Sequence, residues 1–161
     1  MLIAVDTETT GLDLFGGDCP FAISTCDETG ATRFWEWDVD PKTRQVMPPS
    51  EEIAEFTDYI DGNTLVFHNI KFDLRALSNL GIRIHFKQVD PIREQEWKTL
   101  PYCDHKYEAV CETFEDTLLA AHVCDSVESH GLKPLSEKYL DILVDDEEEL
   151  LEAVRASRRA A

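Results

Sequence analysis

The chain alternates short apolar runs, closed by turn residues, with stretches whose apolar positions recur at helical spacing. Leu2-Ile3-Ala4-Val5 is apolar and partly β-branched, which predicts a buried first strand, broken by Thr9, Thr10 and Gly11. Phe15 to Pro20 is a glycine-containing turn. Phe21 to Cys26 reads as a second strand closed by Asp27-Glu28-Thr29-Gly30, and aromatic-rich Thr32 to Val39 as a third, the two forming a hairpin. Ser50 is placed to cap a helix with Glu51 and Glu52 in its first turn and Ile53, Phe56 and Ile60 at helical spacing, ended by Asp61-Gly62-Asn63. Thr64 to Phe67 is a short fourth strand. His68 to Asp73 leads into a helix through Leu74, Leu77 and Leu80, stopped at Gly81.

Residues 82–113 carry the weakest pattern. Ile82 to Phe86 alternates, as a strand or extended segment would, and Asp104 to Glu108 suggests a surface loop. Asp116 is placed to cap a helix over Thr117 to Cys124, on which His122 reads as a packed or half-exposed histidine rather than a ligand. Ser129-His130-Gly131 is a turn before a short helix carrying Leu132, Leu135, Tyr139 and Leu140, with Pro134 in its first turn. Asp145 to Glu149 opens a last helix that Arg155, Arg158 and Arg159 close. That charge order complements the helix dipole, so the acidic run reads as a helix start rather than a metal site. With no internal repeat and no linker, the expectation is one domain over 1–161.

Composition narrows the class. A chain of 161 residues that is 43 % hydrophobic can bury a core. No apolar run approaches the ~20 residues that span a bilayer, and no basic segment precedes the first apolar run, so neither a membrane partner nor a signal peptide is expected. Five cysteines at irregular spacing point to free thiols in a reducing compartment. Cys103, His105 and Cys111 lack a C-x-x-C pair and a nearby fourth ligand, which argues against zinc. The net charge of −18 argues against nonspecific, salt-driven nucleic-acid binding. It leaves room for an enzyme that takes a nucleic-acid end through metal ions, which then supply the positive charge.

The candidate chemistry lies in Ala4-Val5-Asp6-Thr7-Glu8-Thr9-Thr10-Gly11-Leu12-Asp13. Asp6 and Glu8 are two residues apart, so in a strand both project from one face. Two carboxylates that close repel, and one neutralises unless a cation lies between them; such hard oxygen ligands suit Mg²⁺ or Mn²⁺. The plainer reading of this stretch alone is a solvated strand end. Asp73, in the first turn of a helix after a buried strand, can lean over the same end of the sheet.

Three segments together resemble the DEDD superfamily of 3′→5′ exonucleases. The stretch around Asp6 and Glu8 resembles its first motif and His68-Asn69-Ile70-Lys71-Phe72-Asp73 its second. Phe114-Glu115-Asp116-Thr117-Leu118, continuing into His130-Gly131-Leu132-Lys133-Pro134-Leu135 and Tyr139-Leu140, is similar to the proofreading domains of family A (polymerase I-type, including phage) DNA polymerases. The resemblance implies an α/β, ribonuclease H-like mixed sheet flanked by helices, and the order βββαβα agrees with its start. It implies hydrolysis of phosphodiesters with two divalent cations, Asp6 touching both, Glu8 one and Asp73 the other. By the same resemblance the backbone at Thr7 and Glu8, Leu12 and Asn69 position the terminal nucleotide, and Asp116 has a supporting role. The implied substrate is the 3′ end of single-stranded DNA, with RNA as an alternative. The implied partners are a DNA polymerase domain or replication proteins, in the cytoplasm of a bacterial or phage-infected cell.

One element of the pattern is missing. The family's fourth carboxylate comes from Y-x-x-x-D or H-x-x-x-x-D after the Gly-Leu-Lys segment, and neither spacing occurs there. His68 with Asp73 has the spacing but is the second motif, and His85 with Asp90 comes too early. The expectation is a domain incomplete at its C-terminus, a fragment or split-gene product. An inactive exonuclease-like binding module is the alternative. An acidic nucleic-acid mimic is weaker, because a mimic has no need of metal-ligand spacing.

Overall fold

A computed structural model describes residues 1–87 and 105–141. Asp90, Cys103, Asp104 and the acidic and arginine-bearing helix expected from Asp145 lie outside the described residues. The chain divides into two compact units, 1–117 and 118–161, each described by itself.

The first unit is built on a five-stranded mixed sheet. Its strands are β1 (Leu2–Thr9), β2 (Pro20–Asp27), β3 (Thr32–Glu36), β4 (Thr64–Phe67) and β7 (Phe114–Asp116), ordered β3-β2-β1-β4-β7. The first three pair antiparallel, while β4 runs parallel to β1 and β7 parallel to β4. Helices α1 (Ser50–Ile60) and α2 (Ile70–Asn79) flank the sheet. A separate parallel pair is formed by β5 (Ile82–Phe86) and β6 (Tyr107–Cys111).

Strand β1 runs four residues further than its apolar run, through both carboxylates to Thr9, and it alternates strictly. Ile3, Val5 and Thr7 are buried, whereas Leu2, Ala4, Asp6 and Glu8 are exposed. Ile3 and Val5 belong to a core shared with Phe56 and Ile60 of α1, Leu65 and Phe67 of β4, and Leu77 of α2. The Trp35 ring meets Phe56 edge-on at 5.3 Å, and Trp37 Nε1 donates to Glu52 Oε2 at 2.7 Å. Aromatic rings therefore fasten the β2–β3 hairpin onto α1.

Three expectations are corrected. Ser50 is the first helical residue of α1 rather than its cap; Pro49 holds the cap position, without a side-chain cap bond, and its carbonyl accepts from the Glu52 and Ile53 amides. The third strand ends at Glu36, and Val39 instead makes an isolated bridge to Val46. Tyr107 and Glu108, expected in a loop, belong to β6. Their partner strand is β5, in the register Ile82↔Tyr107 to Phe86↔Cys111, so the pairing is long-range and invisible in local polarity.

In the second unit the helices are α3 (Thr117–Cys124), whose first residue closes the first unit, and α4 (Leu132–Leu140), as the periodicity predicts. His122 is exposed, and its ring lies against that of His130, centroids 3.8 Å apart. Lys138 pairs with Glu128 and Asp125.

Candidate active site

The site residues gather where β1 outruns its parallel neighbour. Pairing with β4 covers only Leu2 to Ala4, so Asp6, Thr7 and Glu8 extend beyond it. On the other side the β1–β2 register slips between Glu8 and Thr9, passing over Phe21, which places a bulge directly after the carboxylates. The Phe21 carbonyl, left out of the ladder, accepts from the Trp37 amide at 2.8 Å.

Asp6 and Glu8 project from the same, exposed face of β1, as the two-residue period requires. Both carboxyls are raised above their ordinary values. For Asp6 partial desolvation outweighs the Thr7 backbone hydrogen bond and the lowering influence of His68. For Glu8 the cause is desolvation first and the Asp6 charge second.

Asp73 approaches from α2. It lies in the helix's first turn, is 3 % exposed, and accepts a 2.8 Å hydrogen bond from Thr7 Oγ1. Thr7 points to the buried face of β1, opposite Asp6 and Glu8, so Asp73 meets the strand from its inner side. Burial pushes the Asp73 carboxyl up to about 7, with the Thr7 hydrogen bond opposing and the Asp6 charge adding. The Asp6 charge thus acts on both Glu8 and Asp73. As placed, no three of the His, Cys, Asp and Glu side chains among the described residues converge on one ion.

Helix α2 starts at an unusual residue. Asn69 has φ 82°, a left-handed conformation that asparagine tolerates better than most residues. Its amide and that of Ile70 donate to Asp116 Oδ1 and Oδ2 at 3.2 and 3.0 Å. Beyond the cap that the sequence predicts for the helix it precedes, Asp116 takes the opening amides of α2, 46 and 47 residues earlier in the chain. The reason is β7, which lies parallel to β4 and pairs Asp116 with Phe67. That puts the carboxylate against the free amides that follow β4.

Two contacts escaped the sequence reading. Thr117 Oγ1 donates to the Phe67 carbonyl at 3.1 Å and lies 2.9 Å from His68 Nδ1. With its one proton given to Phe67, the hydroxyl offers His68 Nδ1 a lone pair. The other is the Thr7 side chain. Only the strand parity, which turns Thr7 away from Asp6, could have signalled it.

The loop after β1 presents Leu12 to solvent, 86 % exposed. The loop itself is firmly tied. Asp18 accepts from the Asp13 amide at 2.8 Å and from Thr10 Oγ1 at 3.2 Å, and Asn79 Nδ2 donates to the carbonyls of Leu14 and Asp18. A side chain on Gly11 would collide with the Asp18 carboxylate. Of the residues considered for zinc, Cys111 is a buried thiol, pushed up to about 12 by desolvation and donating to the Ile60 carbonyl. Such a thiol is a packing group rather than a ligand.

Strand order and sequence together place the chain in a class, the ribonuclease H-like exonucleases. It belongs to the 3′-5′ exonuclease family DNA_pol_A_exo1, whose pattern matches residues 1–157. Among individual proteins it is 25 % identical, over 138 residues, to the DNA polymerase DpoZ of Salmonella phage PMBT28; the match covers 86 % of this chain and 17 % of that polymerase. Two solved structures share the fold at 18 % identity. An apo nuclease superposes with a TM-score of 0.55 over 91 % of this chain and 55 % of its own. Brucella melitensis NrnC with bound Mg²⁺ superposes with a TM-score of 0.50 over 91 % and 56 %. No helix of the described residues is long and apolar enough to cross a membrane.

Proposed function

We propose that the chain is a metal-dependent 3′→5′ exonuclease that removes nucleotides from the 3′ end of single-stranded DNA, as a proofreading domain does. The observation that carries this reading is the projection of Asp6 and Glu8 from one open face at the free end of β1, electrostatically coupled to Asp73 of α2. Desolvation raises all three carboxyls and the Asp6 charge adds to the rise of Glu8 and Asp73, a strain that a cation would relieve; an all-oxygen donor set fits Mg²⁺ or Mn²⁺. Asp6 would bind both ions of a pair, Glu8 one and Asp73 the other. Such ions, when bound, supply Lewis acidity at the phosphate and a water acidic enough to attack near neutral pH.

The protein's own groups do the rest. Thr7 orients Asp73, and Asp116 holds the first turn of α2 on which Asp73 is carried. Leu12, fully in solvent on a tied loop, is available to part the terminal bases, and Asn69 with the backbone at Thr7 and Glu8 to orient the terminal nucleotide. The magnesium in the NrnC structure favours Mg²⁺. The phage relative favours a polymerase as partner and the cytoplasm of an infected cell as location.

The test is incubation of the protein with 5′-labelled single-stranded DNA and Mg²⁺ or Mn²⁺, beside an Asp6→Ala control, with RNA of the same sequence in parallel. A metal-dependent ladder shortening from the 3′ end and lost in the control is the expected result; faster RNA trimming would reassign the substrate. The second reading is an exonuclease-like binding module. It predicts strand binding that survives Asp6→Ala and no cleavage.

A further inference from the structure

A side of α2 distinct from the Asp73 face carries features that the hydrolytic site does not use. Lys71, Arg75 and Ser78 recur at helical spacing there, and with Arg83 and His105 they line a cavity of about 140 Å³. His105 is tied on both nitrogens, to Arg83 Nη2 at 2.8 Å and to Ser78 Oγ at 3.0 Å. Desolvation and the Arg83 charge lower its proton affinity. The cationic character of the wall therefore rests on Lys71, Arg75 and Arg83. In a chain of net charge −18 such a grouping runs against the overall balance.

Arg75 is the unusual member. Its guanidinium carbon lies over the Phe15 ring, 4.6 Å from the centroid, and its Nε is buried with no hydrogen-bond partner among the described residues. That nitrogen is closed to solvent, so a ligand would take its hydrogen bonds from the outer edge of the guanidinium. No carboxylate of the described residues forms an ion pair with it. Phe15 is 86 % exposed, as Leu12 is, on the loop that Asn79 and Asp18 hold rigid. Two large apolar side chains held in water by a tied loop suit stacking with bases, because the ordering cost is already met by the loop.

We infer that Phe15 and Arg75 form a second nucleotide subsite, in which a base of a single strand stacks on the open face of the Phe15 ring and a strand phosphate accepts from Arg75. A guanidinium suits this double task, since it stacks on an aromatic ring through its plane and donates to phosphate through its edge. The inference rests on the exonuclease reading for its substrate class. It adds a contact outside the carboxylates that fixes the path of the strand past α2.

The test is metal-free binding of a labelled single-stranded DNA of about eight nucleotides, followed by anisotropy in EDTA, with cleavage measured separately. Phe15→Ala and Arg75→Gln should each weaken binding about tenfold, the scale of one stacked base or one phosphate contact. Arg75→Lys, which keeps the charge and controls for folding, should recover only part of the loss. A nucleoside monophosphate, which offers one base and one phosphate, should bind both variants more weakly than the wild type. Wild-type affinity in both Phe15→Ala and Arg75→Gln overturns the inference, as does absence of strand binding by the wild type. Competition by inorganic phosphate as strong as by the strand also overturns it, by assigning the cavity to a free anion. If the wild type cleaves DNA while the variants bind normally, the subsite fails and the exonuclease reading stands. If the variants lose binding while nothing cleaves, the reverse holds.

Discussion

Thr7 and Asp73 are the pair on which the chemistry of α2 turns. Asp73 is a buried acid whose carboxyl is moved from 3.8 to about 7. Its folded value lies above the unfolded one, so the folded state favours the protonated form. Stability is therefore highest below pH 4 as far as this group is concerned and falls as pH rises towards and through 7. Linkage puts the full loss on the order of 4 kcal/mol. Asp73→Asn keeps an oxygen for Thr7 Oγ1 and removes the ionisation. In metal-free protein it should raise the melting temperature at pH 8, change it little at pH 3, and abolish cleavage; thermal scans at the two pH values check this. Thr7→Val removes the donor without changing shape. It should destabilise by about 1–3 kcal/mol in denaturant titrations and push the Asp73 carboxyl higher still.

At the scale of elements, α2 is positioned by a strand remote in sequence. Asp116 on β7 receives the two amides that open α2, so Asp116→Ala should cost about 1–2 kcal/mol. Its signature should be local, with faster hydrogen exchange at the Asn69 and Ile70 amides. Asn69 separates backbone from side chain. Asn69→Ala must adopt a left-handed conformation at a cost of about 1–2 kcal/mol, whereas Asn69→Gly adopts it freely. If the Asn69 side chain contacts the terminal nucleotide, both variants should raise KM by a similar factor although only one loses stability. The same elements explain what local pattern missed. Tyr107 and Glu108, which open β6, read as the end of a loop from Asp104 because nothing near them in the chain announces the partner strand β5. Ser50 looks like a cap by residue type, yet the carbonyl of Pro49 does the accepting.

At the scale of the molecule, an acidic chain collects three carboxylates around the end of one strand, and cations should bind there. Mg²⁺ at about a hundred times its dissociation constant should stabilise the wild type by roughly 2.7 kcal/mol. Asp6→Ala should lose that stabilisation, while Phe15→Ala should retain it. Calorimetric scans with and without Mg²⁺ check both. A gain that survives in Asp6→Ala would place the ion elsewhere on the acidic surface.

Local chemistry alone determined much of this protein. The alternation around Val5 puts Asp6 and Glu8 on one face because a strand has a period of two. The run from Thr64 into Asp73 sets a carboxylate in the first turn of a helix, and the motif resemblance names the family to which the chain belongs. Parity also implies that Thr7 faces inward, but not what it meets. Tertiary structure decided the partners: Thr7 for Asp73, the amides of α2 for Asp116, Thr117 for His68, and β5 for β6. Each joins residues 25 or more positions apart in the chain. Such contacts depend on strand order and burial, which no local period encodes. The stacking of Arg75 on Phe15, with its Nε left bare, is likewise a product of packing between a helix and a loop.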